Sequence, residues 1–204
     1  MLSAEERAAL VSLYEKRFKE RGEDVTTVGW KTREDQTLRF EILCEVGDLR
    51  QATVCDAGCG FGDLLSYLAG TVSPERYTGL DIAPSLLDRA RANHPGATFL
   101  GVDLLEGSYA EPNDYFLSSG ALTYKVRDNV LVATRMLERM FALCRKGVAV
   151  NFLTSDVNYE LDRNYHYEPE TMLREARKLT RWVKLRHDYP LWEFTLYLYK
   201  EAQA

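Results

Sequence analysis

Three glycines at alternate positions, Gly58, Gly60 and Gly62, follow an acid, Asp56, at the end of the apolar run Ala52 to Cys55. These residue types at this spacing form a nucleotide-binding turn. Glycine lets the backbone turn sharply and approach a ligand with no Cβ in the way, and the helix start after it presents free N–H groups. Spacing and charge narrow the ligand. The dinucleotide fingerprint G-x-G-x-x-G sets its third glycine one place later, and no G-K-[ST] marks a P-loop. Asp56 repels a pyrophosphate and holds a cationic ammonium. A second acid, Asp81, ends the run Tyr77-Thr78-Gly79-Leu80. It lies about 20 residues beyond Gly62, the distance that sets a carboxylate on a ribose edge.

Strands and helices must position these groups. Ser3 and Glu6 form a capping-box pattern for a helix whose apolar stripe is Leu10, Leu13, Tyr14 and Phe18. Arg21-Gly22-Glu23-Asp24 stops it, and a second helix is predicted from Glu34 to Val46. Strands are predicted at Ala52–Cys55, Tyr77–Asp81, Ala97–Leu104, Tyr115–Ala121 and Val148–Leu153. Helices follow Gly62, Pro84 and Val130, the last running to Cys144 with Lys146-Gly147 as its stop. Thr154 to Tyr167 is a polar, aromatic-bearing loop of a length that signals function. After a short helix at Pro169, Thr180–His187 and Trp192–Tyr199 alternate large and polar residues and read as an antiparallel hairpin at the sheet edge.

Asp56-x-Gly58-x-Gly60-x-Gly62, with acids at two further strand ends (Asp81 and Asp103), resembles the first motif and cofactor acids of the class I, Rossmann-like S-adenosylmethionine-dependent methyltransferases. The resemblance spans about Gln51 to Lys200. It implies an α/β fold, a doubly wound, mostly parallel seven-stranded sheet with a C-terminal antiparallel hairpin. The whole chain, 1–204, reads as a single methyltransferase domain, with residues 1–50 as an N-terminal helical lid and 51–204 as the cofactor-binding core. The implied cofactor is S-adenosylmethionine, with S-adenosylhomocysteine as product. Its contacts are expected from Asp56, Gly58, Cys59, Gly60, Gly62, Asp81 and Ile82. In the same way Asp103 would accept from the adenine amine, Leu104 would offer its N–H to the ring, and Ser118 and Ser119 would face the methyl group. Replacing Asp81 with Ala is expected to weaken cofactor binding while leaving the fold intact.

Arg39 has two readings, a solvated helix face or a fork-shaped partner for the cofactor's methionine carboxylate. Gln36-Thr37-Leu38-Arg39 resembles the N-P-L-R stretch of ubiquinone-pathway O-methyltransferases. Trp30 reads as a plug of the lid. Among the three histidines, His166 in the long loop is the expected general base, with Tyr165 beside it. Tyr124 and Tyr167 are expected to line the acceptor pocket. No acids or cysteines stand at a metal-chelating spacing, so no metal is expected.

The 204 residues, 46% hydrophobic and 28% charged, suit one globular core. A net charge of −5 without a basic stripe makes a nucleic-acid partner unlikely. Four cysteines on apolar stretches or in the glycine turn, no signal-peptide core and no apolar run of bilayer length predict a cytoplasmic protein with no membrane partner. The oligomeric state is not legible. The function expected is methylation of a small-molecule acceptor, at oxygen by elimination, through in-line displacement. The alternatives are a non-catalytic module that binds S-adenosylmethionine or S-adenosylhomocysteine to regulate a partner, and an RNA or protein methyltransferase. A nicotinamide oxidoreductase is disfavoured by the glycine spacing and Asp103.

Overall fold

The structure, a computed structural model, describes residues 2–203. Seven strands form one sheet: β1 (Thr53–Ala57), β2 (Arg76–Asp81), β3 (Thr98–Gly101), β4 (Asn113–Ser118), β5 (Cys144–Leu153), β6 (Val183–Arg186) and β7 (Glu193–Tyr199). Their order is β3-β2-β1-β4-β5-β7-β6, with β1 to β5 parallel and β7 antiparallel to both its neighbours. Six helices accompany them: α1 (Ala4–Arg21), α2 (Arg33–Cys44), α3 (Asp63–Ala69), α4 (Pro84–Asn93), α5 (Asn129–Leu143) and α6 (Pro169–Leu179).

Successive strand residues point to opposite faces, and both faces are covered. Phe116, Val148 and Leu196 pack with Leu137 and Met140 of α5 and Met172 of α6. Leu117, Ala149 and Tyr197, each one position on, pack with Leu43 of α2 and Leu64 and Leu68 of α3. Each such large side chain taken fully out of water contributes ~1.5–3 kcal/mol. Local signals set the helix starts. The Ser3–Glu6 capping box forms in both directions. Thr32 caps α2 by accepting from Asp35 N at 3.0 Å, so the helix begins at Arg33, one residue before the expected start, and it ends at Cys44 rather than Val46.

One strand differs from expectation. β5 begins at Cys144, directly after α5, with no break at Lys146-Gly147. Gly147 is a strand residue at a close approach, where a Cβ would sit 3.2 Å from Leu198 O and 3.3 Å from Val46 Cγ2. The β6–β7 hairpin stands at one sheet edge as expected, with β6 outermost and β7 internal and buried along its whole length. The polar side chains of β7 find partners inside: Tyr197 donates to Ile42 O at 2.6 Å, Thr195 Oγ1 meets Tyr189 Oη at 3.0 Å, and Glu193 pairs with Arg39. Among the described residues no helix is long and apolar enough to cross a membrane.

Candidate functional site

The chain crosses over between β1 and β4, with β2 and β3 on one side and β5 on the other. A crevice opens beyond the carboxyl ends of the strands at such a switch point. The cavity there is walled by Asp56, Gly58 and Gly60 at the end of β1 and just beyond it, Asp81 and Ile82 at the end of β2, Asp103 and Leu104 after β3, and Ser119 and Gly120 after β4. The three acids expected from sequence stand together.

Asp56 is buried. Its Oδ2 accepts from the Tyr77 hydroxyl at 2.6 Å, and its Oδ1 has no partner among the described residues. Burial pushes the carboxyl up to about 7; the Tyr77 bond opposes this, and the charges of Asp81 and Asp63 add to it. The glycine turn is pinned to β2, since Gly58 N and Cys59 N donate to Leu80 O at 2.8 and 3.0 Å. A Cβ on Gly58 would sit 2.6 Å from Ala121 Cβ, so glycine is what lets the loop after β4 come close. Asp81 accepts from Gly60 N at 2.8 Å, Ile82 N at 2.7 Å and Ala83 N at 2.9 Å. Burial still leaves its pKa above the ordinary value. Asp103 accepts from Leu105 N at 2.9 Å and from Arg7 Nε of α1 at 2.8 Å.

The first fifty residues contribute the opposite wall. Leu10 and Tyr14 of α1, Val28 and Trp30 of the following turn, and Gln36 and Phe40 of α2 line the cavity. Glu15 docks α1 on the start of α4 by accepting from Ser85 N at 3.0 Å. Gln36 Nε2 donates to Asp63 Oδ2 at 2.9 Å, tying α2 to α3. Trp30 lies against Gly120, whose φ of +75° and missing Cβ admit the indole. Burial raises the Tyr14 phenol and keeps it neutral.

Several expected residues lie elsewhere. Arg39 does not line the cavity. Its Nε reaches both Glu193 carboxylate oxygens at 2.8 and 2.9 Å, its Nη2 pairs with Glu193, its Nη1 donates to Asp35 O at 2.7 Å, and Trp30 stacks on it at 4.1 Å. Its donors are therefore committed inside the protein. Ser118 is buried behind the wall with its hydroxyl on Ala57 O at 2.8 Å, whereas Ser119 lines the cavity with its buried Oγ unpartnered. Gly62 starts α3 at φ +79° and packs towards His94 and Phe99 instead. None of the three histidines lines the cavity; His166 Nδ1 sits 2.7 Å from Thr154 O. Tyr167 donates its hydroxyl to Leu122 O at 3.0 Å, packs on Phe152, and carries Tyr165 edge-on at 4.7 Å. That trio braces the loop after β5. Tyr124 does line the cavity.

Sequence reasoning missed Tyr77, which orients Asp56, and the arginines of α1. A signal existed for the latter. Arg7, Leu10, Tyr14 and Arg17 recur at three- and four-residue spacing, which places an arginine at each end of the apolar stripe on one helix face.

The arrangement offers a buried anionic acceptor, a ribose-height carboxylate and an apolar enclosure to a nucleoside-like ligand with a cationic amine. The family model described as a methyltransferase domain matches residues 54–147. A Mycobacterium tuberculosis protein whose name reads "Putative methyltransferase Rv1506c" is 30% identical over 158 residues, covering 74% of this chain and 94% of that protein. Among solved structures, magnesium protoporphyrin IX methyltransferase of Synechocystis PCC 6803 with bound S-adenosylmethionine superposes with a TM-score of 0.69 at 18% identity, over 96% of this chain and 95% of that one. The DhpI complex with S-adenosylhomocysteine gives 0.72 at 15%, covering 97% and 98%. CalS10, an amino pentose methyltransferase of Micromonospora echinaspora, gives 0.68 at 13%, covering 92% and 96%. At these identities the likeness of the solved structures is one of fold.

Proposed function

The chain belongs to the class I S-adenosylmethionine-dependent methyltransferases, and from that premise we propose that it methylates a small organic acceptor at oxygen. One observation carries the small-acceptor reading. α1, the Val28–Trp30 turn and α2 line the cavity together with Ser119 and Gly120, which leaves a mainly apolar and partly covered space suited to a small molecule. Residues 1–50 act as a lid over the core formed by 51–204.

The cavity fits the cofactor. The unpartnered Asp56 Oδ1 is where an ammonium belongs, because a buried carboxylate oxygen without a partner is costly and a cation there removes the cost. Asp81, with Ile82 beside it, would receive the ribose hydroxyls, and Asp103 and Leu104 the adenine. Gly58, Cys59 and Gly60 would let the backbone approach. When bound, the sulfonium supplies a methyl group electrophilic enough for in-line displacement. What the chain itself contributes is orientation and exclusion of water. Trp30 on Gly120 closes one side of the enclosure, and Leu10 and Tyr14 close another. With no histidine in the wall, the polar groups nearest an acceptor are the hydroxyls of Ser119, Tyr14 and Tyr124.

Incubation with methyl-labelled S-adenosylmethionine and a library of hydroxy and amino compounds, total RNA and total protein tests this reading. Label in hydroxy compounds as methyl ethers is expected; label confined to amines, RNA or protein overturns it.

A further inference from the structure

Arg17 is 8% exposed, and its Nη1 donates to the hydroxyl of Tyr124, a residue of the cavity wall. The guanidinium carbon also lies 5.4 Å from the centre of the Tyr124 ring, and Tyr14 packs edge-on against the same ring at 5.8 Å. A buried guanidinium is normally met by a carboxylate, since taking an unpaired charge out of water is costly. Arg17 has no ion-pair partner among the described residues. Asp81 acts on Tyr14 through its charge and is itself held by three backbone N–H groups.

The loops beside this corner carry charges of both signs. The loop after β4 carries Lys125, whose backbone N–H donates to Arg163 O of the loop after β5 at 2.9 Å, and Tyr124 itself bridges to Asn164. Lys125 and Arg163 are both exposed and, like Arg17, form no ion pair among the described residues. The same loops carry exposed acids, Asp128 after β4 and Asp156, Glu160 and Asp162 after β5. Arg17 differs from the two loop cations in being buried.

We propose that the acceptor is a small organic acid whose carboxylate is received by the Tyr124 hydroxyl in the cavity wall, with Arg17 behind that hydroxyl supplying the positive charge. This rests on the methyltransferase reading and specifies its substrate class. Because Tyr124 accepts from Arg17, its own proton is free to be donated to a carboxylate. The Tyr14 ring gives the acid's body an apolar surface.

Calorimetry on protein saturated with S-adenosylhomocysteine tests the proposal, using benzoate, 3-phenylpropionate and hexanoate and the primary amide of each. At least one acid should bind with a dissociation constant of about 1 mM or tighter, and at least tenfold more tightly than its amide. Arg17→Gln should abolish that preference while S-adenosylhomocysteine still binds, and Arg17→Lys should keep a weakened preference. No acid binding by about 10 mM, amides binding as well as acids, or a preference that survives Arg17→Gln overturns the proposal. If Arg17→Gln also loses S-adenosylhomocysteine binding, Arg17→Lys decides, and loss of preference there with the nucleotide still bound overturns it. Failure of the wild type to bind S-adenosylhomocysteine would instead be failure of the methyltransferase reading.

Discussion

The Tyr77 hydroxyl donates to Asp56 Oδ2 at 2.6 Å across adjacent parallel strands, and so holds Asp56 Oδ1 unpartnered in the cavity wall. The register explains the pairing: Val54 lies opposite Tyr77, and Asp56 is two positions along on the same face. The tyrosine satisfies half of a buried carboxylate and leaves the other half for a ligand. This is a site whose cost is borne until a cation arrives.

That cost is measurable through Asp56. With its carboxyl at about 7 in the folded protein against an ordinary 3.8, the native state holds a proton that the unfolded chain has released. Stability of the ligand-free protein therefore falls as pH rises from about 4 to about 7, by up to ~4 kcal/mol at ~1.36 kcal/mol per unit. Cofactor affinity moves the other way, because an ammonium needs the carboxylate, and it weakens as pH drops below about 7. Asp56→Asn should flatten both trends, raise the melting temperature at pH 8 by several degrees, and weaken S-adenosylhomocysteine binding by ~10–100-fold. Thermal melts and calorimetry across pH 5–8 check this; a variant that melts lower and binds as tightly contradicts it.

Asp81 is a structural keystone as well as the proposed ribose partner. Asp81→Ala strands the N–H groups of Gly60, Ile82 and Ala83, each worth ~1–3 kcal/mol when buried and unpaired. The expectation that this substitution spares the fold is therefore replaced by one of marked destabilisation, read by urea unfolding. Asp81→Asn keeps one acceptor oxygen; it should be less destabilising and still lose more than tenfold in S-adenosylhomocysteine affinity.

Glu193 anchors a buried chain of polar groups from α2 to the cavity. Arg39 binds its carboxylate, Asn151 Nδ2 donates to its Oε2 at 3.1 Å, and Asn151 Oδ1 accepts from Gly120 N at 2.9 Å. Glu193→Leu leaves Arg39 buried without its partner and should cost ~3–5 kcal/mol. Replacing Arg39 and Glu193 together by Leu should recover much of that loss, which denaturant midpoints would show.

Gly120→Ala places a methyl group against the Trp30 indole at a φ of +75°. The cost should be ~1–3 kcal/mol, and displaced Trp30 should report it through shifted fluorescence emission. An unchanged spectrum and stability would mean the turn is looser than the structure shows.

The strand-end acids were legible because their spacing from the glycine turn is set by the length of one strand–helix–strand unit. The capping box and the first two helices were legible for local reasons. Arg39 was misplaced because its partner, Glu193, lies 154 residues away in a strand whose burial no local pattern announced. The loop after β5 drew attention for its histidine and tyrosines, yet Tyr167 folds under Leu122 and His166 turns to a backbone carbonyl. Nothing in the local sequence marks Arg17 as buried. Only the approach of Tyr124, 107 residues on, buries it.

The most direct test of the account is parallel calorimetric titration of the wild-type protein with S-adenosylmethionine, S-adenosylhomocysteine and NADH. Saturable one-site binding of both sulfur nucleotides and no heat from NADH is the predicted result. No binding of either sulfur nucleotide would contradict the assignment of Asp56, Asp81 and Asp103 to the cofactor.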